Sequence, residues 1–279
     1  MQESLAQRIV EYLEAKSDDM RLLLETFVRV ESPSREPGTH AAMLELLGAE
    51  FSKRGYRSRV LSGKTSGGVL LAMPERRPRG RPHQLVLGHA DTVWPVGTLE
   101  TMPVKVDDGT FWGPGSYDMK AGLVQGLFAV EALGALFGEP LAVTPVFLVN
   151  SDEEIGSHDS TRAIVRFARG ADRCFVLEPS LGAEGNLKTG RKGVGRFTIR
   201  VRGQAAHAGL DPNKGASAIL ELSHIIQELF ALNDPSKGIT VNVGTIDGGL
   251  SPNVVAPESR AVVDVRVPTK EDATRIEET

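Results

Sequence analysis

The chain has 279 residues, 41% hydrophobic and 24% charged, an ordinary globular composition that excludes a disordered or fibrous protein. The 32 Lys and Arg against 36 Asp and Glu leave a net charge of −4, the wrong sign for a dedicated nucleic-acid binder. Cys174 is the single cysteine, so neither an internal disulfide nor a cysteine-rich zinc site can form, and six histidines are the nitrogen ligands on offer.

Residues 1–17 mix Glu3, Arg8, Glu11, Glu14 and Lys16 with isolated apolar positions, which does not fit an export signal. The apolar run 141–149 is broken by Thr144 and Pro145, far short of the ~20 residues of a membrane span. A soluble, cytoplasmic protein with no membrane or nucleic-acid partner is expected.

Leu5, Ile9, Tyr12 and Leu13 share one helical face, and Ser17-Asp18-Asp19 opens a second helix carrying Met20, Leu23, Leu24, Phe27 and Val28. Pro33 disfavours helical geometry in the residue before it, so Ser32-Pro33-Ser34 ends that helix. Met43, Leu47 and Phe51 mark a third helix, closed by Gly55. From Tyr56 the period changes to short β-type runs over 56–61, 68–73 and 84–88. A helix over 119–137, a strand over 143–149, a helix over 161–168 and a strand over 173–177 follow. This alternation predicts an α/β layer, a mostly parallel sheet flanked by helices, with ligands gathered at the carboxyl ends of its strands.

Near residue 185 the pattern shifts to strand 194–201, helix 216–232 and strands 239–246 and 254–267. Thr269-Lys270-Glu271-Asp272 then opens a further helix. That order is the first two-thirds of a split β-α-β unit, a smaller α+β, ferredoxin-like domain that reads as incomplete at the C-terminus. The expected division is a first domain over 1–190 and a second over 191–279.

Four polar clusters follow strands of the first domain: Gly88-His89-Ala90-Asp91-Thr92, Gly113 to Lys120 with Asp118, Asn150-Ser151-Asp152-Glu153-Glu154, and Leu177-Glu178-Pro179. Strand ends at one sheet edge would bring His89, Asp91, Asp118, Glu153, Glu154 and Glu178 together. Five carboxylates so crowded repel one another unless a cation lies among them. An imidazole with carboxylates suits zinc and related ions. His89 and Asp91 lie two apart on an extended segment, which lets Asp91 hold the ring nitrogen that faces away from a metal. Glu153 and Glu154 are adjacent and point different ways, so one can ligate while the other carries a proton.

The strings GHADTV, GPGSYDMKAG, SDEEIGS, VLEPS and GQAAHAGLDP resemble the dizinc amidohydrolases and metallopeptidases that include acetylornithine deacetylase, succinyl-diaminopimelate desuccinylase, aminoacylases and glutamate carboxypeptidase. The resemblance covers about residues 20–270 and is strongest to the carboxypeptidase G type. It implies a zinc-binding catalytic domain with a dimerisation domain inserted, and two zinc ions, with cobalt or manganese as candidate replacements. His89 and Glu178 would bind one ion, Glu154 the other, and Asp118 would bridge them. Asp91 would support His89, and Glu153 would be the general base. His207 would reach from the smaller domain, into the site of a partner subunit, toward the oxyanion. Asn253 would help bind substrate. The implied reaction is hydrolysis of an amide bond that releases a C-terminal amino acid, glutamate above all, from a small N-acyl or peptide substrate, by a homodimer.

The same residues allow an N-acyl-amino-acid deacylase of the same chemistry, or an inactive metal-binding, dimerising fragment. The family completes its site with a late histidine and an arginine for the substrate carboxylate, and this sequence ends before either. Asp118 could also cap the following helix, Glu153 and Glu154 could form a solvated acidic loop, His207 could be structural, and Asn253 is a common turn residue. His40, His83, His158 and His224 read as surface or helix residues, and Cys174 as a free thiol filling core space.

Overall fold

The computed structural model describes residues 4–77, 80, 82–138, 140–182, 184–188 and 190–278. The chain forms two compact units, Met1–Ser180 and Leu181–Thr279. The loop from Leu181 folds with the second unit, so the division falls ahead of position 190.

In the first unit, apolar residues three and four apart turn one flank of α1 (Leu5–Ala15), α2 (Ser17–Val28) and α3 (His40–Lys53) toward a common core. Gly55, at a φ of 73°, turns the chain out of α3. The chain then runs through β1 (Tyr56–Leu61), β2 (Val69–Pro74) and β3 (His83–His89). A one-turn α4 (Thr98–Thr101) and a hairpin, β4 (Lys105–Asp107) with β5 (Thr110–Trp112), follow; neither was expected. The hairpin has a readable signal: Asp108 and Gly109 both take positive φ, 46° and 72°, as a two-residue turn demands. After α5 (Ala121–Phe137) come β6 (Thr144–Asn150), α6 (Thr161–Ala168) and β7 (Arg173–Val176).

The main sheet has the order β1-β2-β6-β3-β7. β3 runs parallel to β6 and β7, while β2 pairs antiparallel with both β1 and β6. Only β2 opposes the rest, so the sheet is mostly parallel. Central β6 is buried at every position, and its side chains alternate between two cores. Phe147 and Val149 join Phe27, Met43, Leu47 and Phe51 under the helices. Val146 and Leu148 join Val69, Leu71 and Leu85 on the other face, where α6 packs with Ile164 and Phe167. A one-residue slip of β6 would exchange the two sets, so its register is fixed by burial on both sides.

β7 is the edge strand and is exposed along its length. Cys174 is a free thiol, but it is exposed there rather than filling core space. Residues 116–137 are long and apolar enough by composition to cross a membrane, yet α5 buries Leu123, Leu127 and Phe128 in the first core. Gly122 lets α5 begin directly beneath the exit of β7, because a Cβ there would collide with the Leu177 carbonyl.

The second unit is an antiparallel sheet in the order β8-β10-β9, from β8 (Gly193–Arg202), β9 (Thr240–Gly248) and β10 (Glu258–Val267). α7 (Ala218–Ala231) and α8 (Lys270–Glu277) pack Leu229 and Ile276 against Val241, Val263 and Val265. A third strand lying between the first two is the arrangement of a split β-α-β unit, as the sequence pattern implied.

Lys120 ties the turn before α5 to the end of α2. Its buried ammonium donates to the carbonyls of Phe27 (3.0 Å) and Val30 (2.7 Å), at the helix end where the dipole favours a cation. Burial lowers its pKa to about 8, with the Glu31 charge opposing. An unfolded lysine titrates near 10.4, so between these values the unfolded chain binds more protons and stability rises with pH. In urea unfolding, the wild type should therefore gain stability relative to Lys120→Met from pH 7 to pH 9.5. A constant gap would mean that Lys120 is not desolvated.

Candidate metal centre

His89 ends β3, one strand from the buried centre of the sheet, and is itself only 1% exposed. Its Nδ1 bonds the Asp91 carbonyl at 2.9 Å and lies 3.5 Å from Asp91 Oδ1. Its Nε2 faces the other way, toward Asp118 Oδ1 (3.1 Å), Glu178 Oε1 (3.6 Å) and Glu153 Oε2 (3.9 Å). One nitrogen is thus held from behind while the other points into a ring of carboxylates, the orientation a ligating histidine needs.

Asp91 is fixed from several directions. Its Oδ2 accepts from the Ser34 hydroxyl at 2.7 Å, and its two oxygens accept the backbone N–H groups of Glu153 and Glu154, each at 3.2 Å. Burial alone would raise its pKa, but the hydrogen bonds to His89 and Ser34, the His89 charge and the Glu153 N–H hold it below the usual carboxylate range. Ser34 is there because 32–34 runs alongside 90–92: Ser32 Oγ donates to the Ala90 carbonyl at 2.7 Å and Ser34 N to the Thr92 carbonyl at 3.0 Å. The segment read from sequence only as a helix stop is therefore a wall of the site.

Asp118 lies in the turn Ser116–Lys120 ahead of α5, and its side chain is 53% exposed. Glu153 and Glu154 occupy a single 3-10 turn after β6, and Glu178 follows β7. The ligand atoms of His89, Asp118 and Glu154 all lie within 4.8 Å of one another, as do those of His89, Glu153 and Glu178. Either set is a candidate group for one ion, a histidine nitrogen with two carboxylate oxygens.

The electrostatics are those of crowded carboxylates around one imidazole. Burial disfavours a charge on His89, but the hydrogen bonds to Asp118 and Asp91 and the charges of Asp91 and Glu153 outweigh it and push its pKa up to about 11. Glu154 is pushed up to about 7, first by burial and then by the neighbouring charge of Asp118. A divalent cation among these oxygens would relieve both effects.

Asp152 shapes the turn that carries the two glutamates. This buried carboxylate accepts the N–H groups of Asp159 (2.7 Å) and Ser160 (3.1 Å), while Asn150 Nδ2 reaches Asp152, Ser157 and Ser160. His40 begins α3, as a helix residue, but is buried; its ring bonds the Pro33 carbonyl and the Gly67 N–H. The sequence reading assigned no role to Ser34, Asp152 or Asn150.

His207 and Asn253 belong to the second unit, where the Ala208 N–H donates to the Asn253 carbonyl at 3.0 Å. His207 Nδ1 accepts the N–H groups of Gly209 and Leu210, which puts the ring proton on the exposed Nε2. Asn253 Oδ1 accepts from the Ser251 hydroxyl at 2.7 Å.

Residues 189–279 match the peptidase dimerisation domain of the M20 family. Carboxypeptidase G2 of Pseudomonas sp. (strain RS-16) is 29% identical over 251 residues, 89% of this chain and 60% of that protein. Succinyl-diaminopimelate desuccinylase 2 of Shewanella loihica is 33% identical over 236 residues, 78% of this chain and 60% of that protein. The chain thus spans about 60% of the length of these curated relatives. Among solved structures, an M20 family metallo-carboxypeptidase from Sulfolobus solfataricus superposes with a TM-score of 0.71 at 18% identity, over 92% of this chain and 73% of that one. Aminopeptidase PepT from Bacillus cereus does so with 0.68 at 22% identity, over 93% and 70%. The second unit carries the peptidase dimerisation domain of the M20 family, and the chain as a whole is similar to a carboxypeptidase and a desuccinylase and shares its fold with an M20 metallo-carboxypeptidase.

Proposed function

We propose that this chain carries the metal-binding layer and the dimerisation module of a metal-dependent amide hydrolase. The convergence of His89 with Asp118, Glu153, Glu154 and Glu178 at the sheet edge carries the reading. His89 and Glu178 would hold one zinc ion and Glu154 the other, and Asp118 would serve as a ligand to both. Burial, and after it the charge of Asp118, raises the Glu154 pKa, which supports a ligand role for it, since a cation would favour its charged form. Bound zinc would lower the pKa of a water toward about 7 and polarise an amide carbonyl.

Glu153 is the general base, taking the proton of the attacking water and delivering it to the leaving amine. Asp91 keeps His89 oriented. His207 donates from Nε2 to the oxyanion, reaching the site of a second subunit, and Asn253 offers its side-chain amide to the substrate. The relatives named carboxypeptidase and desuccinylase support a small N-acyl amino acid or peptide as substrate, and the resemblance of the sequence motifs to the carboxypeptidase G type favours release of a C-terminal glutamate. The dimerisation-domain match supports a homodimer, for which light scattering should give about 60 kDa, twice the 30.0 kDa chain; a monomer would leave His207 without that role.

Metal must displace the proton on His89, so uptake at pH 8 should release about one proton, and apparent affinity should fall roughly tenfold per unit as pH drops from 8 to 7. Titration calorimetry in buffers of different ionisation enthalpy reads both effects, and pH-independent uptake would sink the assignment of His89. Glu153→Gln should keep zinc affinity within a few-fold while glutamate release from an N-acyl glutamate falls about 10²–10⁴-fold. Asp118→Asn should lose the metal itself. Turnover that survives chelation would overturn the whole reading.

A further inference from the structure

On the sheet face opposite the helical layer, α6 packs over β2, β6 and β3, and a cleft of about 250 Å³ opens between α6 and β1. Its apolar lining includes Leu61 and Val69 from the sheet and Phe167 from the helix. Arg59 stands on the β1 side, with Arg162 and Arg166 on α6. None of the three guanidinium groups has a hydrogen-bond or ion-pair partner among the described residues. Arg162 and Arg166 are four apart on one helix, a spacing at which like charges repel. The protein as a whole is acidic, so this is a local reversal of charge over an apolar floor.

The one carboxylate in the cleft does not answer that charge. Asp159 Oδ2 accepts the N–H groups of Lys64 (2.6 Å), Thr65 (3.0 Å) and Ser66 (3.1 Å) and the Ser66 hydroxyl (2.8 Å). It ties down the loop that closes one end of the cleft, leaving three arginines facing open space. None of the residues lining the cleft belongs to the metal cluster.

We propose that this cleft binds a small organic phosphate, its dianionic head gripped by Arg59, Arg162 and Arg166 and its apolar body laid against Leu61, Val69 and Phe167. Arginine forks match phosphate oxygens with directed, charge-assisted hydrogen bonds. Three terminal oxygens can engage three separate guanidinium groups, whereas a carboxylate offers two. The inference is independent of the catalytic reading.

Phenyl phosphate is a suitable probe, titrated calorimetrically into the purified protein at fixed ionic strength beside inorganic phosphate and benzoate. Saturable binding is expected, tightest for phenyl phosphate and weaker for either probe that lacks the ring or the dianion. Arg59→Ala, Arg162→Ala and Arg166→Ala should each weaken it about tenfold, near the lower range for a hydrogen bond to a charged group. All three side chains are exposed, so the variants should keep the wild-type unfolding midpoint. Affinity indifferent to the arginines would place the phosphate elsewhere, the metal cluster included, and would overturn the proposal. Benzoate binding as tightly as phenyl phosphate would overturn the assignment of a phosphate.

Discussion

The first unit is organised around the buried carboxylate of Asp91. It accepts one hydroxyl and two backbone N–H groups and stands behind the ring of His89. Three stretches of chain distant in sequence meet at this one group: the strip after α2, the end of β3 and the turn after β6. Its negative charge is tolerable because each oxygen is hydrogen-bonded. That same satisfaction fixes where the His89 Nε2 points, and so where the other carboxylates converge.

Asp152 and Asp159 repeat the device further along the chain. Each accepts the N–H groups of a loop that has no ladder of its own: Asp152 those of the turn before α6, Asp159 those of residues 64–66. Irregular segments at the strand ends are thereby held by buried or half-buried aspartates rather than by apolar packing.

The elements with strong periodicity could be read from the sequence nearly to the residue. The run 56–61 matches β1, and 161–168 matches α6. The acidic cluster could be read too, because each member follows an apolar strand and strand ends share an edge. What escaped depends on contacts between remote segments. Nothing local tells Ser34 from any serine after a helix, and only the strip's alignment with 90–92 gives it a partner. Cys174 looked like core because β7 is apolar, but at the edge of the sheet among the described residues β7 leaves such residues exposed. The β4–β5 hairpin is only three residues per strand, too short for a period to emerge. Arg59 and the α6 arginines come from different elements, so their convergence has no signature in either.

The order in which these groups enter the chain has its own consequence. His89, Asp118, Glu153 and Glu178 are spread over ninety positions, and the last of them follows the edge strand that docks on β3. In chain order, His89, Asp118 and the glutamates after β6 all precede the edge strand that carries Glu178 to the same sheet edge. The set of His89, Asp118 and Glu154 is therefore present before Glu178 is made, and only the set of His89, Glu153 and Glu178 waits for β7.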